Sequence, residues 1–352
     1  VALTLDLSIN VSFNPTRSLV ADCTTPEQRS KGFTWMQTVS GTFGVLAYLI
    51  AVIWGNEVLI YVGAIIAVLF TVLPIFFIEE PRELKSENND AVAQQKSSIK
   101  DMVESILPIS GFLIYGIYVI VGKLFGLTVA GDIFGLDYIE CACVIIEILA
   151  ILAVLFNATR SSEDNNQFQK ILLAHSFTWW GVQTMNIYMF FYVVNIITGI
   201  AGTEQTVNSM AFLVRDLIGA ILPVLVLNVI AQKAGMAKTH TGSILLMALG
   251  YGLIYFFGAN IYVFFASLVI VGIGWASLVS LPFAIMSERV DQSKMGLYMG
   301  IFNLSVVLPQ LVASFKMGEV VNAAADKSII FAICAVCLLI SGVLWIAVKD
   351  KK

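Results

Sequence analysis

Residues 327–347 read KSIIFAICAVCLLISGVLWIA, and no charged side chain follows Lys327 in this stretch. About 20 consecutive apolar residues are enough to cross the hydrocarbon core of a bilayer as a helix. A helix bonds its backbone polar groups internally, which is necessary because lipid offers them no hydrogen-bond partner. The stretch therefore predicts a membrane-spanning helix near the C-terminal end of the chain.

Apolar stretches of similar length recur along the whole chain. Together with 327–347 they predict eleven spans, the others being 1–21, 31–54, 57–78, 105–128, 138–156, 170–196, 209–231, 241–258, 260–286 and 295–315. The composition agrees, because 58% of the 352 residues are hydrophobic and only 12% are charged. Soluble domains are about 25% charged. The predicted fold class is an all-α polytopic membrane protein.

The same composition excludes several other classes of protein. A soluble enzyme or a disordered chain does not carry this much apolar sequence, and a net charge of −4 argues against nucleic acid as a partner. The five cysteines lack paired metal-ligand spacing, and the sequence contains no Gly-rich nucleotide-binding loop. We therefore expect no enzymatic activity, no cofactor and no metal, with the lipid bilayer as the surrounding partner.

Lysines and arginines are distributed unevenly between the predicted loops. Fifteen fall on the side of the first loop, and only Lys316 and Lys327 fall on the opposite side. In membrane proteins the cytoplasmic loops carry the excess of basic residues. The bias therefore predicts cytoplasmic positions for 79–104, 157–169 and 349–352. It also predicts a multi-pass protein of the cell's inner (plasma) membrane.

Four polar residues share one stripe of the first predicted span. Asp6, Asn10, Asn14 and Arg17 are separated by four, four and three positions, which places them on one face of a helix. A charged side chain within a membrane usually faces a protein interior or a water-filled cavity, because exposure to lipid is costly. The stripe predicts the wall of a polar cavity. The alternative is that Arg17 extends to the cytoplasmic surface and Asp6 lies near the outer one.

Two further spans carry residues suited to the same cavity. Trp179, Gln183 and Asn186 form a stripe whose aromatic ring and amides can bind the C–H faces and hydroxyls of a sugar. The alternative for the aromatic residues is a role as anchors at the membrane interface. Arg215 and Asp216 are adjacent, and a guanidinium group can hold hydroxyls or a carboxylate. A structural ion pair between helices is the alternative for them.

Two regions allow more than one interpretation. Asn303 and Gln310 share a face of their span, where amides either bind a substrate or connect helices. In the stretch 105–156, Lys123 and Glu140 lie near the outer end, where we expect them to pair or to extend to the surface. Glu147 lies deeper, and a structural pair is favoured over proton transfer for it.

Three sequence segments resemble one family of transporters. They are NPTRSLVADCTTPEQR at 14–29, GWASLVSLPFAIM at 274–286 and MGLYMGIFNLSVVLPQ at 295–310. These segments are similar to the sucrose- and maltose-type proton symporters of the major facilitator superfamily, in the glycoside–pentoside–hexuronide group. The resemblance covers 1–78 and about 170–348.

The resemblance implies a two-bundle organisation with twelve helices in the family. The implied domains are 1–78 as family helices four to six, 79–104 as a cytoplasmic linker, 105–156 as an extra transmembrane hairpin, 157–169 as a cytoplasmic loop, 170–348 as family helices seven to twelve, and 349–352 as a cytoplasmic tail. The first three family helices are then missing, which predicts an N-terminally truncated chain.

The resemblance also implies a mechanism. Asp6 matches the family's proton acceptor, Arg17 matches the arginine that partners it, and Arg215 with Asp216 is similar to a pair in family helix eight. We therefore expect a monomeric secondary active transporter that carries a sugar with protons by alternating access. The predicted substrate-binding residues are Asn10, Asn14, Trp179, Gln183, Asn186, Arg215, Asp216, Asn303 and Gln310. The alternatives are a cation-coupled carrier of another small solute and a sugar sensor that does not transport.

Overall fold

A computed structural model of the protein describes residues 20, 24, 26–77, 99–127, 129–131, 133, 135–158, 160–200, 202–291 and 294–351. Within these ranges the regular structure is helical, and the β-type pairing is an isolated bridge between Ile133 and Leu136. The prediction of an all-α membrane protein is confirmed.

Thirteen α-helices are described, and we number them in chain order. They are α1 Pro26–Trp54, α2 Asn56–Val72, α3 Ile99–Ile106, α4 Ser110–Phe125, α5 Tyr138–Leu155, α6 Glu163–Ile196, α7 Glu204–Leu222, α8 Asn228–Ala234, α9 Met236–Phe257, α10 Ile261–Leu278, α11 Leu281–Ser287, α12 Met295–Ala323 and α13 Ile329–Ile346. Short 3-10 turns follow α2 and α3, and a π-helical turn at Pro223–Leu227 joins α7 to α8.

Seven helical segments of the described residues are long and apolar enough to cross a membrane, or eight if the bent pair α7 and α8 is one span. Two of the seven, Val103–Phe125 and Ile261–Ser287, each run over two numbered helices. The predicted number of eleven therefore stays a prediction, and the predicted span 1–21 lies outside the described residues. Helix α6 is not among the seven although it has 34 residues. Its length is sufficient, but polar residues along it lower its mean hydropathy. Most of α6 is buried by neighbouring helices, and many of its polar residues, such as Gln169, His175 and Thr178, face protein rather than lipid.

Helix α6 also begins earlier than the apolar pattern indicates. The predicted loop 157–169 ends in the structure at Ser162, whose hydroxyl accepts a hydrogen bond from the Asn165 backbone N–H at 3.3 Å. Glu163 and Asp164 occupy the first turn, where acidic residues favour a helix because its N-terminus carries a partial positive charge. Hydropathy does not detect this polar turn, because it marks the length buried in lipid rather than the length of the helix.

The C-terminal bundle consists of α6 to α13, and helix α1 and the hairpin of α4 and α5 pack against it. Within the bundle, α9 packs on α10 and α13, while α6 packs on α12 and α13. Helix α1 lies along α7, where Gly41 allows close approach because an added Cβ would lie 3.1 Å from Ala220. The hairpin, formed by α4 and α5, packs instead against α6 and α12.

The contacts of the hairpin correct one expectation. Glu140 pairs with Lys316 of α12 at 2.7 Å, whereas Lys123 is exposed and lies over the Phe315 ring at 5.8 Å. The pair between Lys123 and Glu140 is therefore wrong, whereas the other predicted alternative, extension to the surface, describes Lys123. The reason is that α12 continues to Ala323, so Lys316 is a helical residue facing the hairpin and not part of an outer loop.

Candidate functional site

A buried polar cluster in the C-terminal bundle is centred on Arg215 of α7. Its Nε donates to Asp216 Oδ1 at 2.8 Å, and its Nη1 donates to Asn186 Oδ1 at 2.7 Å. Arg215 and Asp216 are both buried. They pair within one helix, so the interpretation as an ion pair between helices is not what the structure shows; the link between helices is the bond to Asn186 of α6.

Two aromatic rings flank the same guanidinium group. Its carbon lies 4.8 Å from the centroid of Phe212 and 4.2 Å from that of Trp275 on α10. Ring faces are electron-rich and attract cations, more strongly where water is excluded. Carboxylate, amide and rings together allow Arg215 to remain charged within the bundle.

The hydrogen-bonded cluster extends from Asn186 across α6 to α12. The Asn186 amide donates to Gln183 Oε1 at 3.4 Å, and the Gln183 amide donates to Gln310 Oε1 at 3.5 Å. Five predicted site residues, Gln183, Asn186, Arg215, Asp216 and Gln310, therefore form one polar chain from three helices. We call these five residues the polar chain.

The other described candidates lie beside the polar chain. Trp179 donates its indole N–H to His175 Nε2 at 2.8 Å, and its ring meets Trp275 edge-on at 6.1 Å. Trp179 is thus connected to Arg215 through Trp275. Asn303 is half-buried on α12, two turns before Gln310.

A cavity of about 430 Å³ opens beside Arg215, between α1 and α7. Tyr48 of α1 and Phe212 of α7 stack across it with centroids 5.5 Å apart and an interplanar angle of 11°. Its other lining residues are Ala51, Leu59, Asn186, Gln205, Asn208, Ser209 and Arg215. The buried Asn208 Oδ1 accepts no hydrogen bond from the described residues. We call this space the α1–α7 cavity.

The lining of the α1–α7 cavity combines apolar ring faces with hydrogen-bonding groups of both kinds. The guanidinium group has five N–H donors, and two of them make hydrogen bonds with described residues. Amide side chains provide both donors and acceptors. A neutral solute that carries many hydroxyl groups and apolar C–H faces matches such a lining better than an ion or a hydrocarbon does.

Of the cavity wall, sequence reasoning found Asn186 and Arg215 and missed the other seven residues, among them four with aromatic or amide side chains. Gln205, Asn208 and Phe212 precede Arg215 at helical spacing on one face of α7, so this pattern was available in the sequence. Tyr48 carries no such signal. It joins the cavity because α1 packs on α7, which no local pattern indicates.

The stripe of the first predicted span lies outside the described residues. This applies to Asp6, Asn10, Asn14 and Arg17. Their roles in proton coupling and substrate binding stay predictions.

Comparison with known proteins gives one family match. Residues 153–325, just under half of the chain, match the family model described as MFS/sugar transport protein. The matched range contains α6 to α12 and all five residues of the polar chain. No curated protein matches the chain.

Several solved structures are similar to the chain over most of its length. A bacterial homologue of the iron transporter ferroportin, in its outward-facing state, is 14% identical with a TM-score of 0.44, and the alignment covers 95% of this chain and 85% of that one. The E. coli fucose:proton symporter is 13% identical with a TM-score of 0.42 over 95% and 88%. An auto-inhibited POT family peptide transporter is 9% identical with a TM-score of 0.47 over 94% and 73%. Scores below 0.5 carry no weight for substrate or mechanism.

The apolar helices and the family match together define the class of protein. The chain is an integral, multi-pass membrane protein, and the similarity of 153–325 to sugar transport proteins supports a transporter with a small-molecule substrate.

Proposed function

We propose that the protein is a secondary active transporter that carries a sugar by proton-coupled symport, with a disaccharide or glucoside such as sucrose or maltose as the substrate class. The observation that carries this proposal is the polar chain, which reaches the wall of the α1–α7 cavity at Asn186 and Arg215. The match of 153–325 to sugar transport proteins supports the same substrate class.

The α1–α7 cavity provides a physical basis for sugar binding. The Tyr48 ring, which stacks on Phe212 with one face, would contact the apolar face of a pyranose ring with the other. Asn208 and the free donors of Arg215 would bind its hydroxyls, since buried polar groups gain from a hydrogen-bond partner. Trp179 and Asn303, which lie beside the polar chain, would contact the sugar at a second position.

The position of the cavity suits alternating access. It lies between a helix of the N-terminal segment and a helix of the C-terminal bundle. In many secondary transporters the substrate site lies where two bundles meet, and the bundles rock about it. One elementary charge that crosses 100 mV supplies about 2.3 kcal/mol, so a co-transported proton can drive accumulation of the sugar.

We assign proton coupling to Asp6 and its partner Arg17. Asp6→Asn in the complete chain should abolish uphill accumulation of sugar and preserve exchange without a gradient, because Asn retains hydrogen bonding but cannot ionise. Arg17→Lys should also impair transport, because lysine retains the charge but lacks the planar guanidinium group that can make two parallel hydrogen bonds.

The experiment is uptake of radiolabelled sucrose and maltose into proteoliposomes, with and without an imposed proton gradient. Asp22→Asn, which changes an aspartate in the predicted loop, is the matched control and should accumulate sugar normally. Saturable binding without uptake would identify a sensor instead, and accumulation driven by a sodium gradient alone would identify another coupling ion. Full accumulation by Asp6→Asn would remove Asp6 from the mechanism.

A further inference from the structure

A second cavity, of about 360 Å³, lies between the hairpin and the C-terminal bundle. We call it the hairpin pocket. Its wall is largely apolar, with the rings of Phe112, Phe177 and Trp180 on one side. Val144 and Ile148 are exposed at its rim on α5, so the pocket opens toward the lipid-facing surface of the hairpin. Apolar pockets of about 300–1,000 Å³ with a few polar groups are typical of small-molecule sites.

A single carboxylate in the hairpin pocket lacks a charged partner. Glu147 is only 8% exposed, and its Oε2 accepts a hydrogen bond from the Gly111 backbone N–H at 2.9 Å. Its Oε1 accepts none from the described residues, and no described basic side chain lies within ion-pair distance. Burial of an unpaired carboxylate is costly.

The other charges of the hairpin pocket are already neutralised. Lys316 pairs with Glu140 at 2.7 Å and also with Glu319 at 3.0 Å. The lining therefore holds two carboxylates, from Glu140 and Glu147, and one ammonium group that is fully engaged. The charge left without a partner in the pocket is therefore the negative one of Glu147, which can bind a cation.

We propose that the hairpin pocket binds a lipophilic amine. The protonated amine donates to Glu147 Oε1, and the apolar body of the ligand packs on Phe112, Phe177 and Trp180. Ring faces within about 6 Å of a cation add to its binding. The ligand enters from the bilayer past Val144 and Ile148. This site is separate from the α1–α7 cavity and does not depend on the proposed transport function.

The test compares two molecules with the same apolar cage, 1-adamantanamine and 1-adamantanol. The full-length protein is placed in phosphatidylcholine nanodiscs, and binding of each radiolabelled compound is measured by equilibrium dialysis with empty discs subtracted. Wild-type protein should bind the amine saturably and at least about tenfold more tightly than the alcohol, since hydrogen bonds to charged groups are the stronger ones. Glu147→Gln should abolish this difference. Glu57→Gln removes an exposed carboxylate elsewhere and should retain it.

A further variant makes the result independent of the folding of Glu147→Gln. Ile148→Trp narrows the rim while Glu147 stays in place, and it should reduce binding of the amine. Lack of saturable amine binding by the wild type, or equal affinity for the alcohol, would overturn the proposal. Unchanged amine binding by a folded Glu147→Gln protein would do the same.

Discussion

Two ion pairs are buried among the residues that the structure describes, and they differ in how completely their cations are bonded. Lys316 has three N–H donors, and they match three partners: Glu140 at 2.7 Å, Gly135 O at 2.8 Å and Glu319 at 3.0 Å. Arg215 has five, and two of them bond to described residues, Asp216 and Asn186. The first cation is saturated, whereas the second keeps donors beside a cavity.

The difference separates a structural pair from a binding group. A charge whose donors are all bonded has nothing left for a ligand, so Lys316 serves to hold the hairpin on α12. Arg215 is held in place by a carboxylate, an amide and two rings, and still presents N–H groups to the α1–α7 cavity. Changes at Lys316 should therefore affect stability, and changes at Arg215 should affect binding.

The largest expected effect is on stability. Lys316→Met leaves Glu140 buried without its partner, and removal of one member of a buried pair costs about 3–5 kcal/mol. We expect a decrease of that size in the free energy of unfolding, measured by denaturant titration in detergent micelles.

Two comparisons sharpen this prediction. Lys327→Met removes a lysine that bonds to backbone carbonyls at the end of α12, and it should cost much less. The double variant Lys316→Met with Glu140→Leu should recover most of the loss, because two apolar residues replace two charges. A decrease below about 1 kcal/mol for Lys316→Met alone would contradict the role of Lys316 in holding the hairpin.

The next effect is on substrate binding. Arg215→Lys retains the positive charge but loses the planar fork that bonds to Asp216 and Asn186 together. We expect about tenfold weaker sugar binding or more, equal to about 1.4 kcal/mol, measured by equilibrium dialysis in nanodiscs. Lys316→Arg is the matched exchange at the other pair and should leave sugar affinity unchanged. Wild-type affinity in Arg215→Lys would exclude Arg215 from the site.

The smallest effect concerns the ring above the guanidinium group. Phe212→Leu removes both the stack on Tyr48 and the ring face near Arg215. Aromatic pairs contribute about 0.5–1.5 kcal/mol beyond buried area, so sugar affinity should fall a few-fold. Phe315→Leu removes the ring near Lys123 on the hairpin side and is the control. An equal decrease in both variants would indicate a general loss of packing.

Much of the fold could be predicted from local patterns. Stretches such as 138–156 and 327–347 are mostly apolar, and a helix is the structure that satisfies their backbone hydrogen bonds in lipid. The polar residues Gln183, Asn186 and Arg215 could be recognised as candidates for the same reason, since a buried polar group in a membrane helix needs a protein partner. The start of α6 at Glu163 was missed because that turn lies outside the apolar pattern.

The sequence by itself thus determined the class of fold and the residues that must face protein rather than lipid. Only the tertiary structure decided which partners they have: Lys316 rather than Lys123 for Glu140, and Asp216 for its neighbour Arg215. The physical reason is that helix formation and lipid exposure depend on neighbouring residues, whereas ion pairs and cavities depend on how helices far apart in sequence pack. Tyr48 lines the α1–α7 cavity because α1 lies against α7.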